Sequence, residues 1–469
     1  MKKILNLFFA SFIIVFILSG CQDRTDLTGP TPSNGKVDFT RLVSLGNSLT
    51  AGYQSSALYA DAQLYAYDAQ IAKEVNANYA TPTISYPGIG GLMYIKSIDL
   101  SKGTIVIGVN PSTGTPTNTG YKAPYNNLGV PGAILNDILN TTSSTTNPFF
   151  NIVLRGLGTE YSQAKALQPT FLTLWIGNND ILGYATSGGT SPYTPSAVFT
   201  SLFNTLGDSV ASLGCKVAVA NIPDVTSIPF FTTVGPVMAM EVPWALFKSM
   251  GVPGLIYEKH GETIGTGVAD SLALLTGQVL ITLPGSNYAS LIGQSTGKFY
   301  RDNHYPALPV GIDTTKPFGL HPQNPWPDAL ILDQDEVNTA KTTTTDFNNT
   351  IASVVNKYSD RFVLVDINKF FKTVRAADFA GGTVIDGIRF FTTYITGGLF
   401  SLDGIHPTGQ GQAVVANQFL AAINAKFGSN FPMIDVAAVP GSLILAKRAY
   451  EQSQKLPYFE PGTFDHILY

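Results

Sequence analysis

A serine, a histidine and an aspartate are the residues of this chain best placed, by type and spacing, to carry chemistry. Ser48 stands in Gly46-Asn47-Ser48-Leu49-Thr50-Ala51-Gly52, directly after an apolar run of strand length. A serine at the carboxyl end of a strand sits where open α/β sheets bind ligands. A helix starting there would aim backbone N–H groups at a developing anion. Taken alone, the same serine is equally well explained as a helix N-cap. Asp403-Gly404-Ile405-His406-Pro407-Thr408 sets a carboxylate three residues before an imidazole. Such a carboxylate can fold back, fix the ring's tautomer and support its charged form. None of the other histidines (His260, His304, His321 and His466) has a carboxylate three residues before it; Asp302 lies two residues before His304, in a loop-rich stretch. Two polar clusters complete the set. Tyr125-Asn126-Asn127-Leu128-Gly129-Val130-Pro131-Gly132-Ala133 reads by itself as a sharp turn. Trp175-Ile176-Gly177-Asn178-Asn179-Asp180 follows another apolar run and reads by itself as an Asx-rich helix cap.

In this chain order the four segments resemble the blocks of the GDSL, or SGNH, hydrolase family. The resemblance spans roughly residues 38–427 and rests on Ser48, Gly132, Asn179 and His406, with Asp403 in the family's Asp-x-x-His pattern. Asn47 stands where the eponymous motif has Asp. The resemblance implies a flavodoxin-like three-layer α/β/α sandwich around a parallel sheet, and acyl transfer through a serine. By the same resemblance Ser48 is the nucleophile, His406 the base and Asp403 its orienting partner. The oxyanion hole would comprise the N–H groups of Ser48 and Gly132 and the side-chain amide of Asn179, and no cofactor or metal is implied. The order Ser, Asp, His also occurs in α/β-hydrolases, but that fold wants Gly-x-Ser-x-Gly and takes Asp and His from separate loops. Here Thr50 fills the last position.

Four continuous apolar runs, Phe39–Leu45, Phe171–Ile176, Val217–Ile222 and Phe362–Ile367, have the length and composition of strands covered on both faces. Helical patterns lie between them. Leu64, Tyr67, Ile71 and Val75 share one face, as do Val198, Leu202, Leu206 and Val210, and the stretches 337–355 and 413–427 are also helical in pattern. The alternation predicts a parallel sheet with helices on both sides. Residues 103–120 and 141–146 are Thr/Ser/Asn/Gly-rich and read as exposed loops. Residues 225–332, between late strands, are too long for a simple connection. They hold one helical pattern, at 267–275, and form either a cap over a cleft or a surface excursion. Their apolar residues Phe230, Phe231, Val234, Met238, Met240, Val242 and Trp244 could line a lipid-accepting cleft or form a buried cluster. The expected organisation is a leader at 1–20, a polar tether at 21–37, a hydrolase-like domain at 38–430 and an extension at 431–469 carrying a helix near 440–454. No internal repeat is visible.

Lys2 and Lys3 precede an apolar stretch from Ile4 to Ile17, followed by Leu18-Ser19-Gly20-Cys21. This is the pattern of a secretory leader, and its ending resembles a bacterial lipobox in which Cys21 becomes an acylated N-terminus. An ordinary signal peptide or an uncleaved anchor would begin similarly. The expected location is extracytoplasmic, on a bacterial outer membrane or cell surface. With Cys21 lipidated, Cys215 is the only other thiol, so no intramolecular disulfide is expected. Cys215 reads as a packed core residue beside a strand, and no histidine–cysteine cluster has zinc-site spacing. A net charge of −4 and a pI near 5.7 provide no basic field for nucleic acid. The expected partners are an ester substrate (lipid, short-chain ester or acetylated glycan) and a membrane through Cys21. Two other functions fit the same residues: a surface binding protein that keeps the fold without turnover, and an acyltransferase.

Overall fold

The computed structural model describes residues 32–99, 104–259 and 265–441. The leader, Cys21, most of the tether, His260, His466 and the helix expected near 440–454 beyond its first two residues lie outside the described residues.

The four apolar runs form the central sheet. β1 (Leu42–Gly46), β2 (Phe171–Trp175), β3 (Lys216–Ala220) and β4 (Phe362–Val365) pair in parallel, side by side in that order. β1 and β2 are buried at every residue, which is why their sequences are apolar on both faces and do not alternate, apart from Ser44 and Thr173, which hydrogen-bond to each other at 2.8 Å. On the outer side of β1 the chain passes once more. Ser44 N–H donates to Asn126 O at 2.9 Å, Leu128 N–H to Ser44 O at 3.0 Å and Val130 N–H to Gly46 O at 3.0 Å. With this ribbon the spatial order is second, first, third, fourth, fifth, the flavodoxin-like order, and its direction reverses between β1 and β2. In such a sheet, ligands bind beyond the carboxyl ends of the strands at that reversal.

Helices cover both faces, giving three layers. The main ones are α1 (Tyr67–Glu74), α2 (Asn179–Thr186), α3 (Ser196–Ala211), α4 (Gln334–Lys357), α5 (Ile367–Ala377) and α6 (Gly409–Phe427). α1 and α6 meet through stacked Tyr67 and Phe419, 4.6 Å between ring centroids, against Trp175 of β2. α3 and α4 meet through stacked Phe199 and Phe347. α4 begins at a capping box in which Asp333 accepts from Glu336 N–H and Glu336 accepts from Asp333 N–H.

Several expected details differ. Leu64 lies beyond the start of α1 and is 65% exposed. The core face of α3 is Phe199, Phe203, Leu206 and Val210, while Val198 is exposed. A spacing of four drifts off a 3.6-residue turn, whereas 199, 203, 206 and 210 track it. Residues 103–120 are not all loop, because Thr104–Val109 pairs antiparallel with Met93–Asp99. Likewise 267–275 splits into a strand, Gly265–Ala269, and a helix, Ser271–Thr276, capped by Asp270. The insertion at 225–332 contains several short helices and two antiparallel strand pairs, Leu255–Lys259 with Gly265–Ala269 and Leu280–Ile281 with Ile331–Leu332, around its own apolar cluster, including Val234, Met238, Leu274, Phe299 and Trp326. Of the residues offered as a lipid cleft, Phe231, Val234 and Met238 are fully buried packing and Met240 is exposed. Beyond α6, residues 431–441 fold back: Asn424 Nδ2 donates to Phe431 O and Asn417 Nδ2 to Ile434 O.

Candidate active site

Two loops at the carboxyl ends of β1 and β2, and a third just before α6, converge at the reversal of strand order. After β1 the chain enters a single helical turn, Ser48–Ala51. Its N-cap is Asn47, whose side chain accepts from Leu49 N–H. Ser48 is thus the first helical residue and not the cap. The turn is tight, since a Cβ on Gly46 would lie 2.3 Å from Thr50 Oγ1 and 2.5 Å from Trp175 O. Asn47 is fully buried and also donates through Nδ2 to Asn178 Oδ1 at 3.3 Å. An aspartate could cap the turn but could not make that donation, which accounts for an amide at this position. Glu160, also fully buried, accepts from Gly46 N–H at 3.1 Å, and burial pushes its carboxyl well above the usual range.

His406 is 358 residues from Ser48, yet its Nε2 lies 2.9 Å from Ser48 Oγ. Its Nδ1 lies 3.0 Å from Asp403 Oδ2. Asp403 is the acceptor at the centre of a donor cluster. Oδ1 takes the N–H groups of Ile405 and His406, both at 2.9 Å, and Ser401 Oγ–H at 3.1 Å; Oδ2 also takes Ser56 N–H at 2.9 Å. Burial alone would raise its pKa, but the His406 charge and these hydrogen bonds outweigh that and hold it down to about 2. Ser55 and Ser56 both adopt left-handed backbone, φ 50° and 62°. This costly conformation for non-glycine residues turns their N–H groups to Ser401 Oγ and Asp403 Oδ2. The Tyr53 ring lies 4.9 Å from the His406 ring, centroid to centroid.

Gly132 and Asn179 lie on the same cleft as Ser48 and His406. Gly132 has φ +83°, and a Cβ there would come within 2.9 Å of Asn147 Nδ2, which itself donates to Pro131 O. Asn179 opens α2, and its Nδ2 donates to Ala133 O at 2.8 Å, leaving the second amide hydrogen for another acceptor. Asp180 ties the two loops together by accepting from Leu135 N–H at 2.8 Å and Thr194 Oγ–H at 2.7 Å. Burial raises its pKa to about 6.

The five residues singled out from sequence, Ser48, Gly132, Asn179, Asp403 and His406, therefore share one site. The Asp302/His304 pair does not form: Asp302 binds Lys298 and Tyr288, and neither histidine of the insertion among the described residues, His304 or His321, lines this site. The supporting residues Tyr53, Ser55, Ser56, Glu160 and Ser401 carried no periodic or motif signal, although Ser401 lies within two residues of Asp403; Asp180 belonged to the cluster Trp175–Asp180, without a role assigned to it. Among the described residues no group of three or more His, Cys, Asp or Glu could hold a metal ion. Cys215 is buried, and burial pushes its thiol up to about 11.

Two clefts flank Ser48. One is narrow, about 50 Å³, and chiefly apolar, walled by Leu182, Val225, Ile228, Phe371, Phe400 and Ile405 among others. The second is open, about 390 Å³, and lined by Tyr53, Pro131, Gly132, Asn147 and Phe149. Of the insertion, Val225, Ser227 and Ile228 line the narrow cleft, and just after them Phe230 N–H donates to Gly404 O at 3.0 Å, in the loop that carries Asp403 and His406.

Residues 42–264 match the family model of GDSL-like lipases and acylhydrolases. The matched GDSL-like segment, a little under half of the chain, contains Ser48, Gly132 and Asn179 and supports an ester-bond hydrolase in general. It ends well before Asp403 and His406, and the fold carries these two back across the insertion to Ser48. No curated protein matches the chain significantly. Among the described residues no helix is long and apolar enough to cross a membrane.

Proposed function

We propose that the protein hydrolyses carboxylic esters through an acyl-enzyme on Ser48. The observation that carries this reading is the unbroken hydrogen-bonded line Asp403–His406–Ser48, at 3.0 and 2.9 Å, opening between two clefts. His406 Nε2 takes the proton of Ser48 Oγ as that oxygen attacks the ester carbonyl carbon. The carbonyl oxygen becomes an anion, received by Ser48 N–H, Gly132 N–H and the free amide hydrogen of Asn179. Collapse expels the alcohol, which takes its proton from His406. Water then repeats the sequence on the acyl-enzyme, releasing the acid and restoring Ser48. Throughout, ionised Asp403 holds Nδ1–H and stabilises the imidazolium.

The alcohol departs first while the acyl group stays covalently bound, so the open cleft suits the alcohol and the narrow one the acyl chain. A cavity of about 50 Å³ favours short acyl groups. In assays of p-nitrophenyl esters with protein starting after Cys21, kcat/KM should be highest for acetate to butyrate and fall steeply toward palmitate. Absence of turnover on every ester tested, with the protein folded, would count against the reading. Asn179→Ala should lower kcat by about a hundredfold or more, since one oxyanion donor contributes about 3–4 kcal/mol to the transition state. A near-normal kcat would remove Asn179 from that role.

The leader ending Leu18-Ser19-Gly20-Cys21 supports acylation of Cys21 and retention at an extracytoplasmic membrane. Cys21→Ser should move the protein from the membrane to the soluble fraction, and an unchanged distribution would argue against the anchor.

A further inference from the structure

The wall of the narrow cleft contains one cation. Arg375, near the end of α5, lines it together with Phe371, Phe400 and Ile405, and Ser48 and His406 line the same cleft. A guanidinium is charged at any working pH and carries five N–H donors in a planar fork. Arg375 spends only Nη1, which donates to Asp378 Oδ2 at 3.2 Å and Thr392 Oγ1 at 3.0 Å. Asp378 makes a single contact with it, because its two oxygens are also occupied by the N–H and hydroxyl of Thr392. That is enough to fasten α5 to the segment before the His406 loop. It leaves Nε and Nη2 without a hydrogen bond among the described residues, on a side chain that is 29% exposed. For a plain alkyl chain such a wall is a poor match: a chain filling the cleft would displace water from the guanidinium without replacing its hydrogen bonds. A carboxylate at the far end of the acyl group would instead take the unused part of the fork in a charge-assisted contact.

Building on the ester-hydrolase reading above, we infer that the substrate's acyl group is a short dicarboxylic acid, bound through its free carboxylate by Arg375. Leu182, Val225 and Ile228 would flank the methylenes between the two ends.

The experiment compares monomethyl succinate, glutarate and adipate with methyl butyrate, valerate and hexanoate, following acid release by NMR in the full folded chain after Cys21. The best half-ester should exceed its neutral partner in kcat/KM by about tenfold or more, the scale of a charge-assisted hydrogen bond in a partly desolvated site. Arg375→Met should abolish or reverse that ratio, and Arg375→Lys should restore part of it. Free glutarate should compete with the half-ester in the parent and not in Arg375→Met. Equal or better turnover of the neutral esters by the parent protein overturns the assignment while leaving the hydrolase reading intact, and this holds even if Arg375→Met does not fold. A variant that slows half-ester and neutral ester in equal proportion also overturns it. Failure of the parent on every ester, including p-nitrophenyl acetate, removes the hydrolase reading and this inference with it.

Discussion

Replacing Ser48 with alanine should reduce ester turnover by about 10⁴- to 10⁶-fold, to what oriented binding and oxyanion donors alone achieve. Among the described residues no other hydroxyl lies within hydrogen-bond reach of His406 Nε2, so no neighbour can substitute. The fold should survive, because the removed atom's partner is an imidazole edge on an open cleft where water can replace it. Thermal unfolding should therefore shift little, which separates lost chemistry from lost structure. His406→Ala should cost a comparable factor, and the double variant hardly more than either, since the two act as one unit. Activity retained within about tenfold in Ser48→Ala, or fully additive losses, would show that the chemistry runs elsewhere.

The second large effect belongs to Asp403→Asn, which should lower kcat by about 10³–10⁴-fold. Both oxygens of Asp403 face donors: Ile405 N–H, His406 N–H and Ser401 Oγ–H on one, Ser56 N–H and His406 Nδ1 on the other. An amide NH₂ must replace one of them. Turned toward His406 it forces the tautomer whose proton sits on Nε2, which then cannot accept from Ser48. Turned the other way it opposes the N–H groups and the hydroxyl. Stability should change with it. The native Asp403 pKa of about 2 lies below its ordinary 3.8, so this carboxylate contributes stability above pH 4 that disappears as pH falls through 2. Melting curves between pH 2 and 6 should show a smaller acid-side loss in Asp403→Asn than in the parent. Identical pH profiles would mean that the carboxylate is not held ionised by its surroundings.

Much of this arrangement is legible in the sequence because it depends on local rules. Continuous apolar runs such as Phe171–Trp175 announce strands covered on both faces. Glycine at 46 and 132 marks places where only a hydrogen fits or where φ is positive. Asp403 and His406 are three residues apart, so their contact is nearly a local property of the loop. Periodicity was less reliable on helix faces: α3 offers two overlapping stripes, and burial chose the aromatic one because Phe199 stacks on Phe347, a partner 148 positions away.

Residue type and local order set the chemistry of the parts: a serine after a strand, an Asp-x-x-His loop before a helix, and polar clusters at strand ends. Their combination into one site is a matter of long-range packing. It joined Ser48 to His406 across 358 residues, gave the 225–332 insertion an apolar cluster of its own, and walled the narrow cleft with α5 and the segment after it. It also bent Ser55 and Ser56 to serve Asp403. Such contacts depend on which surfaces bury each other, an energy summed over long-range neighbours, and no spacing along the chain records it.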